Sequence, residues 1–421
     1  MSPTPRTAGL LALAAVVAVA VSPAVGLLLV LALAAATVLD ARAVRSPPRV
    51  SVDVAPVLSR GVPVPLRAEA HAQGAAAVRL RQAVPPDLVL APREADGALD
   101  ATLTGLRRGR HELPALGTRA VGPLGLASWT HRPGTPTEVQ VFPDLGTARR
   151  LALAVRQGRF RDPGVSARGP LGLGTAFESV RDYEPDDDIR QVNWRATART
   201  GRPMSNQFRV EQDRDVLCLV DTGRLMGAPV TTRAGRPPLT GLDAALDAVA
   251  AVGLVADEVG DRCGALAFDH EVRAEVRPRR AGGRLVVQAL YDLEPRATDS
   301  DYERAFWRAG AAKRAFVLVL TDLVEEAAAR QLVAAVPMLA RLHAVVVASV
   351  ADADLTELPG TPPADRAGAY RTAVALEVLQ ARERAAAEVR RGGAEVVEAS
   401  AEDLPAACVR AYLRAKARAR L

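Results

Sequence analysis

The sequence predicts a membrane-anchored protein of several domains: an N-terminal transmembrane helical hairpin, then an all-β sandwich, then a doubly wound α/β domain. Three observations support this order. No charged residue occurs between positions 8 and 39, short alternating apolar runs fill positions 50–145, and longer apolar runs alternate with helical patterns from position 215 onward. A chain of 421 residues is also too long for one ordinary core, because domains usually contain about 100–200 residues.

Composition and charge exclude some classes of function. The formal net charge is +6, and 48 acidic residues are mixed with the basic ones. No basic patch with interleaved aromatics results, so we do not predict binding to nucleic acid. The positive surplus instead suits a surface close to an anionic bilayer. Histidine and cysteine spacings match no metal site, and we expect reduced core cysteines at Cys218, Cys263 and Cys408.

The uncharged stretch from position 8 to 39 is the predicted anchor. It is longer than the ~20 residues that cross the hydrocarbon core once. Ser22 and Pro23 interrupt it, since proline disfavours a continuous helix and serine is common in turns. Two apolar segments remain, at about 8–21 and 24–39, and each is short for a spanning helix.

Three interpretations of this stretch compete: a two-helix hairpin, one long kinked helix, and a cleaved signal peptide. Charge favours the hairpin, because Arg6 precedes the stretch and further arginines follow it, which places both ends in the cytoplasm. A signal peptide needs an apolar run that stops after about 7–15 residues, whereas here the run resumes after Pro23. We therefore predict a multi-pass protein of the bacterial inner membrane with its soluble domains in the cytoplasm. The arginines that follow are Arg42, Arg45 and Arg49.

Positions 50–145 carry the pattern of an all-β domain. Runs that alternate apolar and polar residues, such as 50–54 and 78–81, are separated by glycine, proline and Asp-Gly turn signals. We expect an immunoglobulin-like sandwich that serves as a packing or interaction module, since no catalytic pairing is evident in it.

The most informative stretch is 174–199, which reads GTAFESVRDYEPDDDIRQVNWRATAR. Arg190 and Trp194 stand four residues apart, which would place a cation and a large ring on one helical face. The acidic triplet 186–188 stands where it could cap that helix and pair with arginines. Two interpretations stay open: a self-satisfied cluster of ion pairs and a cap, or a docking surface for a protein partner. The candidate docking residues are Tyr183, Asp186, Asp187, Asp188, Arg190, Asn193, Trp194 and Arg199.

An alternation of strands and helices follows this stretch. Near-continuous apolar runs, typical of strands buried on both faces, alternate with helical patterns and predict a doubly wound parallel sheet. The useful surface of such a sheet lies at the carboxyl ends of its strands, where Asp221 and Asp322 fall. The predicted strands are 215–220, 263–268, 315–320 and 343–348.

The run 181–199, the segment 208–211 and the strand that ends in 221–226 resemble the family called "domain of unknown function 58". The tail from 371 to 413 is similar to that family's last helix, strand and helix. The resemblance implies a membrane-anchored protein with a von Willebrand factor type A-like domain, often encoded beside a MoxR-type AAA ATPase, that acts as an adaptor in chaperone-like assembly or envelope maintenance. Together with the patterns described above, this resemblance predicts four regions: 1–45 (transmembrane hairpin), 46–146 (sandwich), 147–210 (linker and signature motif) and 211–421 (von Willebrand factor type A-like domain).

The resemblance also implies a possible Mg²⁺ site. Domains of this kind often hold the ion with Asp-x-Ser-x-Ser, a threonine and a later aspartate, all oxygen ligands that suit a hard cation. Asp221 and Asp322 match the two acids and Thr298 matches the threonine, but Gly223 and Leu225 stand at the serine positions. We therefore expect feeble Mg²⁺ binding or none, and we predict no other cofactor.

Catalytic signatures are missing from the sequence. It contains no GxSxG elbow, no phosphate-binding GxxxxGK[ST] and no strand-borne GxGxxG. We predict no enzymatic activity and no small-molecule substrate, but a non-catalytic adaptor or scaffold whose partners are the membrane and proteins, above all a MoxR-type AAA ATPase. The alternative is an envelope-assembly protein whose β module recognises a lipid or cell-wall component without an ATPase.

Overall fold

The protein forms two compact units, Met1–Val141 and Phe142–Leu421, in a computed structural model. This division falls close to the predicted boundary between the sandwich and the linker. The structure describes residues 1–160, 176–184, 189, 192–209, 213–232, 238–310, 314–323, 326–360, 362–363 and 365–418.

The first unit begins with a short strand and two apolar helices: β1 (Ser2–Pro3), α1 (Pro5–Ala20) and α2 (Pro23–Ala43). A proline is the first residue of each helix, a position where its fixed φ suits the helix and its missing N–H costs nothing. Pro23 therefore starts a second helix and does not kink a single long one.

One of these two helices is a candidate membrane span. α2 has 21 residues with a mean hydropathy of 2.3, and it is long and apolar enough to cross a bilayer. α1 is also apolar but has 16 residues, fewer than the ~20 that a span needs. The described part of the chain thus supports a single span near the N-terminus, and not the two that the predicted multi-pass anchor requires.

The rest of the first unit is built from strands, as the turn signals predict. Burial along β8 alternates, with Leu99, Ala101 and Leu103 inside and Asp100 outside, because successive side chains of a strand point to opposite faces. The strands are β2 (Arg49–Val54), β3 (Val57–Ser59), β4 (Val64–His71), β5 (Ala77–Arg81), β6 (Leu88–Ala91), β7 (Glu94–Asp96), β8 (Ala98–Gly105), β9 (Gly109–Leu113), β10 (Gly117–Val121), β11 (Ala127–His131) and β12 (Thr137–Phe142).

Three sheets share the core of this unit. Their strand orders are β2-β4-β8-β6, β1-β11-β10-β5-β7 and β3-β12-β9. A single cluster of buried side chains draws on all of them, for example Leu66 from the first sheet, Leu80 from the second and Val139 from the third. The all-β character of the segment is confirmed, and the immunoglobulin-like topology stays a prediction.

The second unit alternates strands and helices. Its elements are α3 (Leu145–Arg156), β13 (Ala176–Asp182), α4 (Trp194–Thr200), β14 (Met204–Arg209), β15 (Asp215–Asp221), β16 (Pro229–Val230), β17 (Leu239–Thr240), α5 (Gly241–Glu258), β18 (Arg262–Phe268), β19 (Val272–Arg280), α6 (Gly282–Leu290), α7 (Tyr302–Gly310), β20 (Ala315–Leu320), α8 (Glu326–Ala340), β21 (Ala344–Val350), α9 (Ala353–Glu357), α10 (Arg366–Arg391), β22 (Glu395–Ala399) and α11 (Leu404–Ala417).

A six-stranded sheet in the order β19-β18-β15-β20-β21-β22 is the centre of this unit. The pairs from β18 to β22 are parallel, and β19 runs antiparallel at one edge. The chain order reverses between β15 and β20, so a topological switch point lies there. In open α/β sheets, ligands bind in the crevice outside the carboxyl ends of the strands at such a point.

Both faces of the sheet are covered, which explains the near-continuous apolar strands. In β15, Val216, Cys218 and Val220 enter one core cluster, whereas Leu217 and Leu219 enter another. Side chains of α5 and α11 pack in the first cluster, and side chains of α7, α8 and α10 pack in the second. Helices therefore pack on both faces of the sheet, as expected of a mixed α/β unit.

α3 lies in the stretch that we predicted to be a linker. Asp144 caps it by accepting a hydrogen bond from the Thr147 N–H at 2.9 Å. Its buried residues Ala148, Ala152 and Val155 belong to the core cluster of the α/β unit. α3 is therefore part of that unit.

The three cysteines lie in this core as free thiols, Cys218, Cys263 and Cys408, and all are buried. Burial raises the pKa of the Cys408 thiol above its usual range. This agrees with the prediction of reduced, structural cysteines, since a buried neutral thiol behaves as a small apolar side chain.

Candidate functional site

The candidate site lies at the carboxyl ends of β15 and β20, at the switch point of the sheet. Asp221 is the last residue of β15, and Thr321 and Asp322 follow β20 directly. Because these two strands are parallel neighbours, both predicted acids lie at the same edge of the sheet.

The carboxylate of Asp221 is saturated by hydrogen-bond donors from the protein itself. Its Oδ1 accepts from the Gly223 N–H at 2.8 Å and from the Ser300 hydroxyl. Its Oδ2 accepts from the Tyr302 hydroxyl at 2.8 Å and from the Thr321 hydroxyl at 2.7 Å. A carboxylate offers about four lone-pair sites, and Asp221 is only 2% exposed. The geometry is that of a buried structural acceptor.

Tyr302 contributes a stable donor to this network. Burial raises the pKa of Tyr302 well above its usual value, and the nearby Asp221 carboxylate raises it further. The phenol therefore stays protonated at neutral pH and can donate to Asp221.

The position of Gly223 argues against a serine-based metal site. A Cβ atom built there would lie 2.3 Å from the Ser300 Oγ and 2.9 Å from the Thr298 carbonyl oxygen. A serine at this position would force the Ser300 loop to move. The Ser300 hydroxyl thus takes the place beside Asp221 that a side chain at position 223 would need.

Asp322 is neutralised by a cation from a helix. Its Oδ1 accepts from Arg382 Nη2 at 3.0 Å. Arg382 lies on α10 and is 8% exposed, and its Nη1 lies 3.4 Å from the Val350 carbonyl oxygen. The positive charge that a metal ion would bring to Asp322 is supplied here by a guanidinium.

Thr298, the third predicted ligand, has other neighbours. Its carbonyl oxygen accepts from the Arg224 N–H at 2.9 Å. Its hydroxyl lies 3.4 Å from the Nδ1 atom of His270. With Asp221 saturated and Asp322 paired, these residues do not fit a Mg²⁺ ion, whose site needs open oxygen ligands.

Among the described residues, potential metal ligands come together elsewhere, at Asp269, His270 and Glu271. Burial pushes the pKa of Asp269 upward, but hydrogen bonds from the Glu271 N–H and the Arg273 guanidinium outweigh this effect and leave the pKa below its usual value. Asp269 is thus an ionised carboxylate held by protein donors.

We expect the full-length protein in detergent to show no saturable Mg²⁺ binding. The physical reason is that Asp221 and Asp322 already have partners, and that Gly223 and Leu225 offer no side-chain oxygen. Isothermal titration calorimetry to millimolar Mg²⁺ should give only heat of dilution. Thr298→Ala serves as the control, because micromolar affinity that disappears in this variant would overturn the expectation.

The signature stretch, which is residues 174–199 together with the strand that follows them, forms two antiparallel strands with a short helix between them. β13 pairs antiparallel with β14, and the Tyr183 N–H donates to the Pro203 carbonyl oxygen at 3.0 Å. Asn193 caps α4 by accepting from the Ala196 N–H at 2.9 Å, and its amide donates to Asn206 at 2.8 Å. Asn193 is thus the cap of α4, a role that the acidic triplet was expected to be able to fill.

Trp194 is a large and highly exposed side chain of this motif. It is the first residue of α4, and 69% of its surface is exposed. Arg199, in the last turn of the same helix, is also exposed. Asp186, Asp187, Asp188 and Arg190 lie outside the described residues.

Sequence reasoning did not identify Ser300, Tyr302 or Arg382. Ser300 and Tyr302 follow Thr298 closely, so the polar loop before α7 carried a local signal. Arg382 is one of several arginines on α10, and nothing in its neighbours along the chain marks it as the partner of Asp322.

The fold and the site together define a chain with a candidate membrane helix, a β unit and an α/β unit whose edge acids are satisfied internally. The family model described as "Protein of unknown function DUF58" matches residues 179–395, more than half of the chain. The protein belongs to this family, as the resemblance predicted.

Other comparisons add little. No curated protein is detectably similar in sequence. A cohesin module from a Clostridium perfringens family 33 glycoside hydrolase is similar to 23% of this chain over 97% of its own length, at 10% identity and a TM-score of 0.17. An uncharacterised membrane-spanning protein from Vibrio fischeri is similar to 33% of this chain over 71% of its own length, at 13% identity and a TM-score of 0.16. At such scores neither likeness bears on fold or function.

Proposed function

We propose that the protein is a non-catalytic adaptor or scaffold of the bacterial inner membrane that binds protein partners through the surface around Trp194. The observation that carries this proposal is the exposure of Trp194 at the start of a capped helix, within the stretch matched by the family. Tryptophan and arginine are the residues most enriched in interface hot spots. The partner is a MoxR-type AAA ATPase, which the family resemblance implies.

A non-catalytic role is supported by the state of the acids at the switch point. A general acid or base must be able to reach a substrate proton, and Asp221 is buried among its own donors. Asp322 is paired with Arg382. We therefore propose that this edge braces the α/β unit and holds neither a cofactor nor a small-molecule substrate.

The finer fold assignments belong to the same proposal. A von Willebrand factor type A-like domain accords with a sheet of six strands whose third strand in chain order is an antiparallel edge. An immunoglobulin-like module accords with the strands around one core in the first unit.

For the anchor, we propose that α1 and α2 enter the bilayer together as a hairpin. Support comes from β1, which precedes α1 and pairs with β11 of the β unit through Ser2 and Pro3. The N-terminus must then lie on the same side of the membrane as the β unit, so the helices between them cross an even number of times or turn back. Exposed Arg6 and Arg42 at the two ends favour the cytoplasmic side.

This topology predicts the result of reporter fusions in a bacterial host. Fusions after Arg49 and after Leu421 should both report cytoplasm, because each follows the complete hairpin. A truncated fusion after Ser22, which keeps α1 alone, is the matched control for the first helix. A periplasmic signal from the fusion at Arg49 or at Leu421 contradicts the hairpin.

A further inference from the structure

The turn at 122–126, which joins β10 to β11, is hydrogen-bonded to the end of the candidate membrane span. Asp40 lies in the last turn of α2 and is 1% exposed. Its carboxylate accepts from the backbone N–H groups of Leu124 at 2.7 Å, Leu126 at 2.8 Å and Ala127 at 2.8 Å. A carboxylate at the carboxyl end of a helix opposes the helix dipole, so these donors are what make its burial possible.

The start of α1 holds the same turn from its other side. The Thr4 N–H donates to the Leu126 carbonyl oxygen at 3.0 Å, and the Thr4 hydroxyl donates to the Gly125 carbonyl oxygen at 2.6 Å. The Thr7 hydroxyl also donates to the Leu126 carbonyl oxygen. The turn therefore lies level with the first residues of α1 and the last residues of α2.

Two glycines permit this close approach. A Cβ atom at Gly122 would lie 2.3–2.5 Å from the Asp40 carboxyl group. Gly125 has a φ of +68°, a left-handed conformation that glycine adopts without strain. The position of the turn is thus fixed through its own backbone groups, which are held by the buried side chains of Asp40, Thr4 and Thr7.

The tip of the turn has the chemistry of a membrane-interface contact. Leu124 is 57% exposed although its own N–H is held by Asp40. Arg6, Arg42 and Arg45 are exposed at the adjoining helix ends. An apolar tip that stands beside cations places its side chain at the acyl boundary and the charges at anionic headgroups.

We propose that the 122–126 turn is a lipid-contact site, in which Leu124 enters the interfacial zone of an anionic bilayer beside the ends of α1 and α2. The occupant is the bilayer because the turn is continuous, through Asp40 and Thr4, with the segments proposed to enter it. The inference rests on the proposed hairpin anchor. As a consequence, the β unit has a fixed orientation relative to the membrane. Asp40 is the residue that positions the turn.

Selective labelling can test this contact, because the native cysteines at 218, 263 and 408 are buried. Full-length Leu124→Cys carries a nitrobenzoxadiazole label in vesicles of phosphatidylethanolamine and phosphatidylglycerol, some with brominated acyl chains. Val89→Cys is the matched control, since Val89 is an exposed aliphatic residue on β6, an edge strand of another sheet. Leu28→Cys on α2 reports insertion of the anchor.

We expect a blue-shifted emission and at least a twofold quenching by brominated lipid at position 124, and neither at position 89. Quenching at position 28 without quenching at 124 overturns the lipid contact and leaves the anchor intact. No quenching at position 28 refutes the anchor itself and the contact with it. Adding Asp40→Ala to Leu124→Cys should reduce the blue shift at position 124. As the control, Asp40→Ala added to Leu28→Cys should leave the quenching at position 28 unchanged, which would show that the variant still inserts.

Discussion

Asp221→Ala is expected to lower the free energy of unfolding of the α/β unit by about 3–5 kcal/mol, because each buried donor left without an acceptor costs about 1–3 kcal/mol. The substitution would leave the Ser300, Tyr302 and Thr321 hydroxyls without their shared acceptor. Since domains are stable by only about 5–15 kcal/mol, this is a large fraction of the total stability. Chemical denaturation of the full-length protein in detergent, followed by circular dichroism, measures the change.

Ser300→Ala is the matched control for this experiment. It removes one donor and leaves Asp221 with its bonds to Gly223, Tyr302 and Thr321, so it should cost about 1 kcal/mol. An Asp221→Ala protein as stable as the Ser300→Ala protein would show that the network is not structural. Wild-type stability that rises sharply with Mg²⁺ would likewise contradict our account of the site.

Trp194→Ala is expected to weaken partner binding by a factor of roughly 30 or more, which corresponds to a hot-spot cost of about 2 kcal/mol. The melting temperature should stay nearly unchanged, because an exposed side chain away from the core contributes within about 0.5 kcal/mol to stability. Recovery of the ATPase from solubilised membranes by affinity purification, together with the melting temperature, gives both quantities. Arg190→Ala belongs in the same series, as the second member of the predicted pair.

Trp307→Ala provides the matched control for Trp194→Ala. Trp307 is 73% exposed on α7 and lies outside the signature stretch, so its loss should leave recovery of the ATPase unchanged. If Trp194→Ala instead lowers the melting temperature by several degrees, the signature stretch has a bracing role. Equal losses of recovery in both variants would show that the ATPase is retained by nonspecific apolar contacts and not by a specific surface around Trp194.

The strands buried on both faces could be predicted from the sequence, and the edge strand could not. β15, β18, β20 and β21 are continuous apolar runs that stand out in any window. β19 reads VRAEVRPRR and is half-exposed or exposed throughout, so its alternation is hidden among arginines. Edge strands are often charged in this way, because charge discourages pairing with other chains.

The positions of Asp221 and Asp322 could also be predicted, but their partners could not. Ser300 and Tyr302 lie 79 and 81 residues from Asp221 along the chain, and Arg382 lies 60 residues from Asp322. Only the packed fold brings these groups together. Comparison with the metal-binding motif alone therefore indicates a metal site that lacks its two serine ligands. In the structure, hydroxyl and N–H groups donate to Asp221, and the Arg382 guanidinium pairs with Asp322.

In the anchor, too, the local break between the helices could be predicted from the sequence, but the distant partners of a buried acid could not. Pro23 marked the break between two helices from its local chemistry alone. Asp40 follows the apolar run directly, and its acceptor role depends on backbone groups 84–87 residues away. Asn193 is of a residue type that is favoured at helix N-caps, so its capping of α4 does have a local signal in the sequence.

Docking of a protein partner on the surface around Trp194 is tested most directly by site-specific photo-crosslinking in intact cells. A photoreactive amino acid is placed at position 194 of the full-length chain, and at position 307 as the control. An adduct that contains an AAA ATPase should form from position 194 and not from position 307. Equal adducts from both positions, or adducts from position 194 that contain only lipid or no AAA ATPase, would contradict the proposed adaptor role.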